Sequence, residues 1–520
     1  MTVKGQGLRA SPTVLQSIIR RAHIDPDHPA AKDLEKELSY AQLIDEVARF
    51  AGALRARGVN VGDRVALLIP NSVDFIIVAL ACQWTGAIFV PLAVTDPTPR
   101  LETVVADCLP LLVVNLVKSG SGGAAFLGNS PVVPIDTLRT ESHAPEAEID
   151  AADLAAYLIY TSGTTGTPKG VQISNAAFAA AVESTASALG LSPATKTLCV
   201  SPFHFDGSYA NLFPTLVSGG TVVMRPRDAL LYPQTFFKTV EAEGITYSGF
   251  TPSYLRLLLA SRRMAQLNDS TLKMIALGGE ATSTADLRAL WSKAPAVRVF
   301  NRYGPTETTI AATNMELTPT MLENGAVPIG RPHPGVSFVL VDHEGRVIED
   351  ALRKGELYIG GVQLMDGYWA APLVTSEVMR SDIVAGVNLY RTGDVAYRDQ
   401  FENYVYVGRN DRVVKRSGVR ISLDELSESM SKIEHVDSAA CLLFDREDGP
   451  GIVAFVTTET KLSDVELRRA ARQFIPENML PDRIEIVDTM PLNRSNQLDE
   501  KTLLSMAGLE PVLRSGVAAN

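Results

Sequence analysis

Apolar positions along this chain gather into short continuous runs separated by polar stretches with helical spacing. VALLIP at 65–70 and LAAYLIY at 154–160 are almost wholly apolar, the pattern of strands buried on both faces of a sheet. LSYAQL at 38–43 opens a helix-spaced pattern that continues through Leu54, so the chain begins as alternating β and α units. That alternation predicts an α/β fold with a parallel sheet. The glycine- and serine-rich residues 119–130 predict a loop between such units. Residues 75–94 hold twenty positions without a charge, long enough to span a bilayer. Gln83, Thr85, Gly86 and Pro91 interrupt the run, which predicts a buried helix followed by a buried strand instead.

With 520 residues, 46% hydrophobic and 21% charged, the chain predicts two or more globular domains. A net charge of −11 and dispersed basic residues argue against nucleic acid or an anionic membrane as a partner. Cys82, Cys108, Cys199 and Cys441 show no metal or redox spacing, and the first residues lack an apolar signal core, so a reducing cytoplasm is expected. The charged, glycine-punctuated residues 408–420 mark a boundary between a large domain, 1–409, and a small one, 410–520.

The stretch richest in chemistry is YTSGTTGTPKG at 160–170. Gly163, Gly166 and Gly170 permit close backbone approach, so successive N–H groups can turn toward one anion. Thr161, Ser162, Thr164 and Thr165 offer hydroxyl donors, and Lys169 supplies charge. It reads as a phosphate-handling loop leaving a strand end, where α/β sheets place ligands. It is not a Walker loop, because Pro168 precedes Lys169 and Gly170 follows it.

This loop resembles the signature of the adenylate-forming superfamily, which includes acyl- and aryl-CoA synthetases, adenylation domains of nonribosomal peptide synthetases, and luciferases. Further similar motifs follow in the family's order: WTGAIFVPL at 84–92, FHFDGS at 203–208, NRYGPTE at 301–307, GELYIGG at 355–361, YRTGD at 390–394, GRNDRVVKRSGVRI at 408–421 and PLNRSNQLD at 491–499. The resemblance implies an α/β architecture: a large N-terminal domain of β-sheets flanked by helices, and a small mobile C-terminal α/β domain turning about Asp411. It implies ATP and Mg²⁺ as cofactors and two half-reactions, in which a carboxylate becomes an acyl-adenylate and a thiol then takes the acyl group.

The resemblance also distributes roles. Tyr303 would stack on adenine, Asn301 would bond its edge, and Gly279 with Glu280 would lie beside it. Asp394 would take the ribose hydroxyls, with Tyr406 and Arg409 closing over them. Thr306 would meet the α-phosphate, Glu307 would hold Mg²⁺, and Lys415 with Arg420 would serve thiol transfer. Asp206 falls where amino-acid-activating members pair the substrate ammonium, whereas His204 matches a histidine of the CoA ligases. The pocket-lining positions become Asp206, Gly207, Ala210, Gly249, Ala276, Gly278, Arg302, Ile310, Ala311 and Gln497.

Most of these are small, which leaves room. Arg302 is the exception, and a buried guanidinium needs an acid: a second carboxylate on the substrate, or an internal one such as Asp206 or Glu280. Gln497 stands where the family carries a lysine and cannot supply charge. The expected activity is that of a stand-alone amino-acid adenylating ligase of natural-product biosynthesis, with an acidic or β-amino substrate, loading the phosphopantetheine thiol of a separate carrier protein. An acyl- or aryl-CoA ligase and a non-catalytic adenylate-binding relative are the alternatives.

Overall fold

The computed structural model describes residues 12–116, 126–141, 151–161, 168–324, 326–409, 413–416, 418–446, 449–458, 460, 462–491 and 498–512. Among them, the strands form two eight-stranded mixed sheets, an antiparallel six-stranded sheet, and a separate C-terminal hairpin and three-stranded sheet.

The first mixed sheet places Lys196–Cys199, Tyr247–Phe250, Met274–Gly278 and Arg298–Tyr303 side by side and parallel. Their carboxyl ends therefore open on one edge. The second contains the two apolar runs read from sequence, as Arg64–Leu68 and Ala155–Thr161. Here Ala155–Thr161 turns back as a hairpin onto Lys169–Ser174, with Thr161 opposite Lys169. Helices Tyr40–Ala56, Val73–Thr85 and Tyr209–Val217 share one apolar core with both sheets.

The uncharged run 75–94 resolves into the helix Val73–Thr85 and the strand Ile88–Pro91. Gly86 ends the helix at φ 72°, a left-handed cap that β-carbon-bearing residues resist. Among the described residues, no helix is long and apolar enough to cross a membrane. Of the loop expected at 119–130, residues 119–125 lie outside the described residues, and its end needs correction: Phe126–Leu127 and Ser130–Pro134 pair as antiparallel strands through a two-residue turn in which Gly128 has φ 57°. The composition marked the turn, but cross-strand bonding reaches into it.

The C-terminal part has cores of its own, built on the helix Leu423–Ser431 and the strands Val436–Phe444 and Gly451–Thr458. Its hairpin, Val413–Arg416 against Val419–Ser422, faces the open edge of the first sheet. The helix is tied across by Glu425, which accepts from Arg100 Nη1 at 2.6 Å. Asp411, the expected pivot, lies outside the described residues.

Candidate functional site

A cavity of roughly 250 Å³ lies at the carboxyl ends of the four parallel strands, the edge where such sheets bind ligands. Val200, Thr251, Gly279 and Gly304, each just past one of those strands, form its base, and Lys415, Gly418 and Arg420 of the hairpin close it. Motifs more than two hundred residues apart in sequence thus share one volume.

Asp206 opens the short turn Asp206–Ser208, where the chain crosses the cavity before helix Tyr209–Val217. The residue is half-buried, yet its Oδ2 is sealed from solvent and has no hydrogen-bond partner. Burial pushes its carboxyl up to about 6; a hydrogen bond from Thr306 opposes this and the Glu307 charge adds to it. The folded state therefore holds the proton more tightly than the unfolded chain, so stability falls as pH rises from about 4 to 6 and stays lower above that range. Asp206→Asn removes the buried charge. It should raise the unfolding temperature at pH 8, by a stabilisation of about 1–3 kcal/mol, and lose that advantage at pH 4. Equal unfolding temperatures at pH 8 would show that the carboxylate is not desolvated.

Glu307 is fully buried, 0% exposed. Its Oε1 accepts from Arg420 Nη1 at 2.9 Å and from the Tyr368 hydroxyl at 2.8 Å, while Oε2 has no partner. Burial alone would raise its pKa, but Arg420 and the Tyr368 hydrogen bond outweigh that and hold it below the usual range. Next to it, Thr309 and Ile310 both have positive φ, 56° and 69°, a costly conformation for β-branched residues. Gln363 pins this strained pair, accepting from Thr309 Oγ1 at its carbonyl and donating from Nε2 to the Ala311 carbonyl.

Asp394 is equally buried; Tyr303 donates to its Oδ2 and Arg409 Nη1 to its Oδ1, each at 2.6 Å. Lys415 Nζ sits 5.8 Å from the Tyr303 ring centroid, and the Tyr406 ring lies 6.4 Å away from it. Burial lowers the Lys415 pKa, and Arg409 and Arg420 contribute to the same effect. Lys169, at the start of its strand, stands 5.5 Å from the Tyr368 ring centroid and is also lowered, first by burial and then by Arg420. His204 packs on the Phe205 ring; burial drops its pKa to about 3, so it is neutral.

The structure corrects several expected positions. Asn301 is turned away from the cavity, its Nδ2 donating to the Pro328 carbonyl and its Oδ1 accepting from Thr282, so it shapes the site without facing it. Glu280 does not lie open beside a base; it accepts from the backbone and hydroxyl of Ser253 and from the Gly418 N–H, holding the hairpin down. Asp206, Gly207, Gly278, Arg302 and Ile310 do line the cavity. Ala210 and Ala311 are packed in the shared core instead, and Ala276 packs with Phe300 and Met274. The room expected at Gly249 is filled, because a Cβ there would overlap the Asn211 carboxamide. Ser162, Gly163, Thr164, Thr165 and Gln497 lie outside the described residues, while Thr161 ends its strand at the loop.

Sequence reasoning missed Tyr368, Tyr247, Asn211 and Arg100. Tyr247 was within reach: two residues before Gly249 on one strand, it shares that residue's face. For Arg100 no local signal exists, since its partner Glu425 is 325 positions away.

A family model described as AMP-binding enzyme matches residues 18–369, and one described as AMP-binding enzyme C-terminal domain matches 425–497. The chain belongs to the AMP-binding enzyme family. This AMP-binding enzyme is 30% identical over 93% of its length to part of a linear gramicidin synthase polypeptide of Brevibacillus parabrevis, covering 9% of that protein. It is 29% identical over 96% of its length to part of phenyloxazoline synthase MbtB of Mycobacterium sp. (strain MCS), covering 42% of that protein. The chain thus spans less than half the length of these curated relatives. Among solved structures, holo-PA1221, a nonribosomal peptide synthetase protein containing adenylation and PCP domains, superposes with a TM-score of 0.83 at 25% identity, covering 96% of this chain and 84% of that one. The o-succinylbenzoate CoA synthetase of Bacillus subtilis shares the fold, with a TM-score of 0.83 at 22% identity, over 95% and 98% of the two chains. The AMP-binding enzyme therefore has the architecture of the adenylate-forming superfamily, a large N-terminal domain of sheets and helices followed by a C-terminal one.

Proposed function

We propose that this AMP-binding enzyme uses ATP to activate an amino acid as its acyl-adenylate and passes the aminoacyl group to the phosphopantetheine thiol of a separate carrier protein. The observation that carries this reading is Asp206 on the cavity wall, with its Oδ2 buried and without a hydrogen-bond partner. A buried carboxylate oxygen left open costs about 1–3 kcal/mol or more, a deficit that a substrate ammonium removes.

In the reaction, a substrate carboxylate oxygen attacks the α-phosphorus, and the bond to the departing pyrophosphate breaks. Thr306, beside Asp206, faces that phosphorus. Lys415 and Arg420, with Arg409 behind them, bring positive charge to the developing anion, and Lys169 would meet the outer phosphates. Asp394 and Tyr406 meet the ribose once Arg409 or Tyr303 gives up its bond to Asp394, and the Tyr303 ring carries adenine once Lys415 moves from its face. Glu307 fits a divalent cation: it is a hard oxygen donor with Oε2 unused. Bound there, Mg²⁺ would neutralise phosphate charge. With Gln497 uncharged, the cations of the hairpin are the described groups suited to that task.

A second reading, a CoA ligase, is favoured by Arg227. It lies on the cavity wall beside Leu230 and Tyr254, and its side chain makes no hydrogen bond among the described residues, which suits the phosphate of a long thiol carrier. ATP–pyrophosphate exchange across a panel of amino, aryl and fatty acids separates the activated class. Transfer to purified holo-carrier protein against CoA then separates the acceptor. Exchange with amino acids and at least tenfold faster transfer to the carrier is the expected result. Exchange with aryl acids alone, or with none, overturns the proposal.

A further inference from the structure

Arg302 is 8% exposed and lines the same cavity as Asp206. It occupies its strand opposite Gly278, and its stem runs across that residue: a Cβ on Gly278 would meet Arg302 Cβ at 3.2 Å and Cδ at 3.6 Å. Glycine at 278 is what lets the guanidinium reach this far.

The partners of that guanidinium are all neutral. Nε donates to the Asn314 Oδ1 at 3.0 Å and Nη2 to the Tyr247 hydroxyl at 2.7 Å. The Tyr247 hydroxyl donates to the Asn211 Oδ1, and Asn211 Nδ2 is anchored on the Gly249 carbonyl. On the other side, Asn314 Nδ2 bonds His333 Nε2, whose ring meets Gln363. Burial drops the His333 pKa to about 4, so that side adds no second positive charge. The two internal acids available to Arg302 are committed elsewhere or open: Glu280 to Ser253 and Gly418, and Asp206 with its Oδ2 unbonded. Among the described residues Arg302 makes no ion pair, and its Nη1 makes no hydrogen bond.

The network therefore positions a guanidinium without neutralising it. Buried charges are ordinarily paired, and arginine presents a planar fork matched to a carboxylate. The cavity thus offers one unpaired anion and one unpaired cation, with Thr306, Lys415 and Arg420 at the end where a carboxylate would be activated. Its depth is limited, because Asn211 fills the space behind Gly249 and Ile310 forms a wall.

We propose that the substrate is an amino dicarboxylate of the size of aspartate or glutamate: Asp206 takes its ammonium, Arg302 takes one carboxylate, and the other carboxylate is activated. This rests on the amino-acid reading above and narrows it. Arg302 acts as a specificity residue. The Tyr247–Asn211 and Asn314–His333 arms are positioning groups that fix the fork.

The test compares acids with their neutral isosteres. ATP–pyrophosphate exchange is measured for aspartate against asparagine, for glutamate against glutamine, for β-amino dicarboxylates, and for alanine and leucine, in the wild type, Arg302→Lys and Arg302→Met. Affinity is read in parallel by calorimetry with non-hydrolysable aspartyl and asparaginyl sulfamoyl-adenosines. The expected wild-type kcat/KM favours a dicarboxylic amino acid over its amide by about 100-fold or more, and Arg302→Met erases the preference in both exchange and affinity. The wild-type comparison stands even if the Met variant folds poorly, and Arg302→Lys should keep part of the preference. A wild type that prefers alanine, leucine or an amide overturns the assignment of Arg302 while leaving amino-acid activation intact. Exchange with aryl or fatty acids and with no amino acid overturns both.

Discussion

Glu307→Ala lowers ATP–pyrophosphate exchange by about 10²-fold or more, and Glu307→Gln, which keeps the shape, lowers it nearly as much. The expectation follows from burial. Glu307 is a sealed anion with one oxygen addressed by Arg420 and Tyr368 and the other buried without a partner, next in sequence to Thr306 on the cavity wall. A carboxylate kept ionised there holds the Arg420 guanidinium and would hold a divalent metal as well. Both variants should retain the wild-type circular dichroism spectrum and should need a higher Mg²⁺ concentration for half-maximal exchange. If Glu307→Gln exchanges within tenfold of the wild type and with the same Mg²⁺ dependence, the residue is structural.

The second large effect belongs to Asp206. In Asp206→Ala an amino-acid ammonium enters a dry site without its counter-charge, at a cost of roughly 3 kcal/mol or more, so kcat/KM for amino acids drops by more than about 10²-fold. Des-amino analogues, which bring no ammonium, are activated no worse than by the wild type. The pH profile gives an independent reading. Because the Asp206 carboxyl is pushed up to about 6, the wild-type kcat/KM for amino acids falls as pH drops through that value and the carboxylate takes up a proton. Asp206→Asn has a low, flat profile over the same range. A variant that still prefers amino acids over their des-amino analogues would assign the cavity's open oxygen a purely structural role.

Much of this protein was determined by sequence alone, where the deciding forces are local. Unbroken apolar runs at 65–70 and 154–160 required strands buried on both faces, and the break at Thr85 and Gly86 split a membrane-length run into a helix and a strand. Ser39 with Gln42 forms the capping box that starts the helix Tyr40–Ala56. The ordered motifs also identified the residues that converge on the cavity, among them Asp206, Gly278, Arg302, Thr306 and Lys415. What sequence could not decide is which way each side chain turns and what it meets. Asn301 and Tyr303 lie on one strand, yet the first is spent on Pro328 and Thr282 and the second on Asp394. Gly249, on its strand, signalled space until Asn211, from the helix Tyr209–Val217, occupied it. The partner of Arg302 was open between substrate and internal acid, and tertiary packing withdrew Glu280 to Gly418 and supplied Tyr247 and Asn314 instead. Secondary structure follows from periodicity within a few turns of chain, whereas the charge state of a cavity depends on contacts between residues tens to hundreds of positions apart, and those are set only when the sheets and the C-terminal hairpin close around it.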